Sequence, residues 1–268
     1  MNSQLQRWIT GIVTVPILFA VIAYGSEILF SGLIAVAALL GVGEFNRLAF
    51  GPAFLREKAE TFGGALLILG CAAMGDVSLL AALLTFCTLA ALMLNLWPGT
   101  DRAPENVSVA KVLFGILYIP LLMSHFILIR QTPDGAKWVF FILVVGFVGD
   151  IAAYYVGKGM GKRKLLSQVS PGKTVEGVIG LFVGSTVGAL LFAAYYMPSL
   201  PWQHAALMGL LGGITGQLGD LAESALKRSA GAKDSGKLLP GHGGILDRLD
   251  SLIFIAPFIF YYRVTLLP

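Results

Sequence analysis

Asp220, Glu223, Ser224 and Lys227 are spaced i, i+3, i+4 and i+7, which puts all four on one face of a helix. That face begins inside an otherwise apolar, glycine-rich stretch. A carboxylate there faces lipid only at high cost, so it must face a polar cavity, a cation or a partner base. Asp247, Arg248 and Asp250 follow after a glycine-rich turn, and Asp247 and Asp250 are again three apart. Four acids among lysines and arginines have the composition of a centre where metal ions hold a polyphosphate. Mg2+ typically binds through one or two carboxylates plus substrate phosphates. For any one residue the alternative is a structural ion pair, such as Glu223 with Lys227, and spacing does not choose between them.

Pro240-Gly241-His242-Gly243-Gly244 lies between the acidic groups. Three glycines around one histidine let backbone N–H groups approach a phosphate. A second stretch, Ser170-Pro171-Gly172-Lys173-Thr174 followed by Glu176-Gly177, ends like a P-loop. That motif needs a glycine five residues before Gly172, where Ser167 stands, and no strand is expected before it. Lys173 and its neighbouring hydroxyls stay as phosphate ligands without the P-loop fold. Gly157, Gly159 and Gly161 do not make a dinucleotide fingerprint. Asp150, with Tyr154 one turn on, is a further acid inside an apolar stretch, open equally to function and to a structural hydrogen bond. His125 and His204 have no such company and read as structural. Cys71 and Cys87 read as small apolar residues within helices.

The elements that position these groups must live in lipid. Of 268 residues only 13% are charged and 56% are hydrophobic, whereas a soluble domain is about 25% charged. An ordinary soluble protein is excluded, and so is disorder. The net charge of +4, which in a soluble protein would point to nucleic acid, here reflects basic cytoplasmic loops, and no nucleic-acid partner is expected. Nine apolar stretches approach the roughly 17–25 residues that cross a bilayer. They are Trp8–Gly25, Ile28–Val42, Phe62–Gly75, Ser78–Trp97, Val109–Ile129, Ala136–Gly157, Val178–Met197, His204–Leu226 and Ser251–Leu267. The second and third are short. The first follows Arg7 and is read as an uncleaved helix rather than a secretory signal.

Nine spans make the loops alternate in side. Arg130, Lys137 and Arg263 then fall on one side and the other sixteen of the nineteen basic residues on the opposite side. The positive-inside rule makes the sixteen cytoplasmic, with the N-terminus inside and the C-terminus outside. Trp8, Trp97, Trp138 and Trp202 lie at span ends, as in an aromatic belt. Asn106-Val-Ser108 matches a glycosylation sequon but falls in a cytoplasmic loop. Gly180, Gly184 and Gly188, and again Gly212 and Gly216, recur every fourth residue, a spacing that lets helices approach closely in lipid. Asp150–Gly177 and Asp220–Asp250 together hold 17 of the 34 charges, both at cytoplasmic ends of spans. The expected fold is an all-α, polytopic membrane bundle of about nine helices. Residues 1–135 form N-terminal helices for packing or oligomerisation, and residues 136–268 form a catalytic region.

The run Ser224-Ala-Leu-Lys227-Arg228, Lys233-Asp234, then Pro240-Gly-His242-Gly-Gly244-Ile-Leu-Asp247-Arg248-Leu-Asp250 resembles the signature of the phosphatidate cytidylyltransferases, or CDP-diacylglycerol synthases. Gly219-Asp220-Leu-Ala-Glu223, Ser170-Pro-x-Lys173-Thr174-x-Glu176-Gly177, and Asp150 with Tyr154 are similar to it too. The resemblance covers roughly residues 140–260; the N-terminal half shares only hydropathy. Gly172 departs from the pattern, since lysine stands there in many members. The resemblance implies transfer of the cytidylyl group of CTP to phosphatidate in phospholipid biosynthesis. It implies Mg2+, K+ as a second cation and a homodimer; the expected location is a bacterial inner membrane, and the count of basic residues puts the site on its cytoplasmic face. The resemblance places metal on Asp220, Asp247, Glu223 and Asp250, and catalysis on Asp220, Lys227, Asp247 and Arg248. Substrate binding falls to Ser170, Lys173, Thr174, Ser224, Arg228, Lys233, His242, Gly243 and Gly244.

Two rivals stay in view. A secondary transporter would also carry intramembrane acids and glycine-interrupted helices, but its site lies near the midplane and its halves repeat. No repeat is found here. A CTP-dependent lipid kinase shares the donor and the membrane. A CDP-alcohol phosphotransferase would need its Asp-Gly-x-x-Ala-Arg motif, which is absent.

Overall fold

The computed structural model describes residues 3–52, 54–96, 106–236, 238 and 243–267, with the side chains of 3–11 and 13 outside that description. Among the described residues the chain forms nine helices: α1 (Ser3–Tyr24), α2 (Glu27–Phe50), α3 (Leu55–Ala73), α4 (Val77–Leu96), α5 (Asn106–Arg130), α6 (Gly135–Met160), α7 (Val175–Tyr196), α8 (Trp202–Ser229) and α9 (Leu246–Leu266). The architecture is all-α, as expected. Six helices, α2, α4, α5, α6, α7 and α9, are long and apolar enough to cross a membrane. The described apolar part of α1 is Thr14–Tyr24. Helix α3 opens with Arg56, Glu57, Lys58 and Glu60, and α8 closes with Asp220, Glu223, Lys227 and Arg228. Helix α3 begins before the expected span Phe62–Gly75 and takes in its four charges there. Helix α8 holds Asp220 and Glu223 within the expected span His204–Leu226 and extends beyond it to take in Lys227 and Arg228. These charges lower the hydropathy of both helices. Pro120 lacks a backbone donor, and α5 accommodates it with a π-helical turn at Leu117–Leu121.

One local expectation needs correction. Lys164–Leu166 (β1) and Ser170–Thr174 (β2) form an antiparallel hairpin, with Lys164 opposite Thr174 and Leu166 opposite Ser170. A strand does precede the Pro-Gly-Lys-Thr segment. It is a two-stranded cap with Ser167 at its turn, so the P-loop geometry stays excluded.

Helix starts follow local chemistry. The Ser26 hydroxyl accepts from the Leu29 N–H at 3.2 Å, with Glu27 in the first turn of α2. Thr174 caps α7, its hydroxyl accepting from the Gly177 N–H at 3.1 Å. Asp76 starts α4: its carboxylate accepts from the Ser78 N–H at 2.9 Å, the Ser78 hydroxyl at 2.5 Å and the Leu79 N–H at 3.2 Å. The Ser78 hydroxyl and then the Leu79 amide hold the Asp76 carboxyl below its ordinary pKa.

The chain divides into two compact units. The first comprises Met1–Gln131 and Asp234–Leu246; the second comprises Thr132–Lys233 and Asp247–Pro268. In the first, α2, α3 and α5 enclose Phe30, Phe45, Ile68, Ile116 and Ile119, all within 2% of complete burial. A side chain on Gly115 would strike Phe45 and Thr61, and one on Gly64 would strike Ile116.

In the second unit, α7 lies along α6 and against α8. The glycine spacing seen in sequence does this work. A methyl on Gly184 would meet the Ala152 side chain and come within 3.0 Å of the Val148 carbonyl; one on Gly188 would meet Val148. Ser185 closes the contact by donating to the Val145 carbonyl at 2.8 Å.

Candidate active site

The chemistry-bearing residues of the second unit meet where α6, α7, α8 and the β hairpin converge. A cavity of about 400 Å³ is lined by the polar residues Asp150, Lys158, Lys173, Thr174, Gln217 and Asp220 and by the apolar residues Ala153, Val178 and Leu181. Pockets of 300–1,000 Å³ are usual for small ligands and cofactors. Lys173 leaves β2 to pair with Asp220 on α8. Lys158 lies over the Tyr154 ring, 5.7 Å from its centroid.

The cavity is held in shape by backbone contacts. Glu176, in the first turn of α7, accepts from the Lys162 N–H at 3.0 Å and the Arg163 N–H at 3.2 Å. This ties the entry of the hairpin to the helix that follows it. Arg228 holds the other side, its Nε donating to the Val169 carbonyl at 3.4 Å and its Nη1 to the Ala232 carbonyl at 3.1 Å.

A second polar group lies along α8. Lys227 donates to Asp247 Oδ1 at 2.7 Å and also pairs with Glu223. Glu223 is 0% exposed. The Ser224 hydroxyl donates to Asp220 Oδ1 at 3.4 Å. Gly219 is what lets α8 meet α9 here, because a methyl there would overlap the Asp250 carbonyl and the Phe254 ring. Asp220 and Asp250 consequently feel one another's charge, and each also feels that of Asp150.

The four acids take different direct partners, with Asp250 in charge range of both Glu223 and Asp220. Asp247 and Glu223 meet on Lys227, whereas Asp220 meets Lys173 in the cavity. Lys233 is exposed beyond the end of α8, Arg248 is exposed on the first turn of α9, and Ser170 is half-buried in β2. Thr174 spends its hydroxyl on the α7 cap. Gly243 and Gly244 belong to the first unit, where Gly244 packs against Glu44. His242 lies outside the described residues. Asp150 joins the cavity, and Gln217, missed in sequence, lines it from the residue one turn before Asp220. Its position on the Asp220 face was the available signal.

Divalent-metal chemistry fits part of this set. Asp150, Asp220 and Asp250 interact electrostatically with one another, and Lys173 is bonded to one of them. Hard carboxylate oxygens in excess of nearby cations suit Mg2+. Among the described residues no three His, Cys, Asp or Glu side chains are grouped closely enough to hold a metal by themselves. A centre completed by substrate phosphates does not require three.

The cytidylyltransferase family profile matches residues 5–266. The chain is similar to a phosphatidate cytidylyltransferase of Bacillus subtilis, 44% identical over 154 residues, covering 57% of this chain and 57% of that protein. A protein of the same name from Synechocystis is 47% identical over 137 residues, covering 51% of this chain and 46% of that one. The Escherichia coli protein named uncharacterized protein YnbB is 44% identical over 160 residues, covering 58% of this chain and 53% of that one. The chain spans about half the length of the curated relatives it matches.

Proposed function

The chain belongs to the cytidylyltransferase family, and from that premise we propose that it transfers the cytidylyl group of CTP to phosphatidate. The products are CDP-diacylglycerol and pyrophosphate. The observation that carries the proposal is the cavity where Lys173 meets Asp220, with Asp150 and Lys158 on its wall. It combines cations for phosphate with carboxylates for a metal, next to an apolar face for lipid.

A phosphatidate oxygen attacks the α-phosphorus in line. The new P–O bond forms as the bond from the α-phosphorus to the bridging oxygen breaks, and that oxygen leaves with pyrophosphate. The attacking phosphate is already anionic near neutral pH, so no strong base is needed. What remains is to bring two anions together and to stabilise charge on the transferred group. Lys173 and Lys158 bring positive charge to the cavity. Lys227 orients Asp247 and keeps Glu223 paired, while Arg228 holds the hairpin over the site. Mg2+, held by Asp220 with Asp150 or Asp250, supplies further electrostatic stabilisation when bound.

We place the site at the cytoplasmic face of an integral membrane bundle with nine crossings and the N-terminus inside. The support is the sixteen-to-three division of basic residues, together with the gathering of polar groups toward one end of α6, α7 and α8. CTP is a cytoplasmic solute, and phosphatidate reaches the apolar wall from the inner leaflet.

Purified chain in lipid micelles with Mg2+, CTP and phosphatidate tests this. CDP-diacylglycerol and pyrophosphate are expected. Release of CDP would sink the proposal in favour of a lipid kinase, and solute movement without turnover would favour a transporter.

A further inference from the structure

Glu44 is a buried carboxylate that the reaction above does not use. It sits on α2, a helix apolar enough to cross the membrane, and is 1% exposed. Its Oε2 accepts from the Ser235 hydroxyl at 2.7 Å and from the Leu246 N–H at 3.0 Å, and its Oε1 accepts from the Ile245 N–H at 2.9 Å. Arg47 is 4.0 Å away, one turn on. Gly236 and Gly244 make room, since a methyl on either would overlap the Glu44 carboxylate.

Three features make this more than a buried ion. The bonds join both ends of one segment, Ser235 at its start and Ile245 and Leu246 at its finish. Leu246 is the first residue of α9, and the first amides of a helix have no acceptor within it. A carboxylate at that terminus also meets the positive end of the helix dipole. Finally, one peptide bond separates Leu246 from Asp247.

We propose that Glu44 is a positioning residue for cytidylyl transfer, tying Ser235 to the Ile245 and Leu246 amides and thereby fixing where α9 begins, one peptide bond before Asp247; this rests on the function proposed above. Gly244 then serves the approach of Glu44, not only a substrate phosphate.

The test is Glu44→Gln beside Ser235→Ala, in purified full-length protein. A misplacement of about 1 Å can cost about 100-fold in rate. Glu44→Gln is expected to lower kcat by about that factor, with kcat/KM for CTP falling in parallel, because the lost alignment matters in the transition state. Ser235→Ala is expected to do the same more weakly. Amide exchange at Ile245 and Leu246 should quicken by about tenfold in Glu44→Gln, the scale of one charge-assisted hydrogen bond, while exchange in the middle of α9 stays unchanged. Wild-type kcat in both variants would overturn the proposal, and so would a loss that merely tracks the unfolded fraction. If Glu44→Gln does not fold, Glu44→Asp and Ser235→Ala decide it by the same measurements. Exchange is read without substrate. A wild-type chain that makes no CDP-diacylglycerol would refute the functional proposal, and the hold on Ile245 and Leu246 would be judged separately.

Discussion

Lys227 bonds two carboxylates from different helices, Glu223 one turn back on α8 and Asp247 at 2.7 Å on the first turn of α9. One ammonium therefore neutralises a fully buried acid and aligns an acid of the signature. Removing it strands Glu223. Breaking a buried pair by deleting one partner costs about 3–5 kcal/mol. Lys227→Met should lower the melting temperature in micelles sharply, and adding Glu223→Gln should recover much of the loss.

Asp220→Asn should leave the fold intact and lower kcat by about 100-fold or more, the scale seen when one electrostatic stabiliser of a transition state is lost. If Asp220 holds Mg2+, the concentration needed for half-maximal rate should also rise. A Mg2+ titration of initial rate separates the two effects. An unchanged Mg2+ requirement would remove Asp220 from the metal.

Chelation by EDTA should abolish turnover of the wild type, and excess Mg2+ should restore it. Calorimetric binding of Mg2+ in the presence of CTP, weaker without it, is the corresponding equilibrium measurement, because the described carboxylates leave ligand positions to the phosphates.

The Asp76 cap gives a pH dependence. Its carboxyl is held below the ordinary value, so its contribution is present above the unfolded pKa and is lost as pH falls through the folded one. Wild type should lose melting temperature more steeply than Asp76→Ala as pH drops below about 4, the reference range for aspartate. Parallel curves would show that the cap contributes nothing.

Orientation is testable without activity. Cys71 and Cys87 are buried, so a cysteine placed at Gly231 or Ser199 reports alone. An impermeant maleimide applied to intact cells should label Ser199→Cys and spare Gly231→Cys until the membrane is opened. The reverse pattern would invert the topology.

Much of the site was legible because helical spacing is a local property. Residues i, i+3 and i+4 must share a face, and Glu223–Lys227 and Ser224–Asp220 do meet. The glycine repeat of α7 likewise named the surface that packs on α6. What sequence left hidden was which distant group each acid meets. Lys173 reaches Asp220 across 47 positions, and nothing in local spacing encodes that. The acids therefore shared a face in sequence, and which lysine each one meets was not readable from it. Glu44 was missed for a different reason. The second expected span stops at Val42, two residues short of Glu44, so the cost of an acid in an apolar run was not applied to it, whereas α2 runs on to Phe50 with Glu44 buried. The β hairpin escaped because its strands are three and five residues long and the second holds Pro171 and Gly172, residues that argue against a strand.

The staple at Glu44 also sets an order in time. Its partners lie 191 to 202 positions further along the chain. At about 5–20 residues per second of synthesis, α2 waits roughly 10–40 s before Ser235, Ile245 and Leu246 exist. The first unit reaches its finished state after most of the second has been made, so a ribosome that stalls between the two leaves the Glu44 carboxylate without the three donors it has in the finished fold.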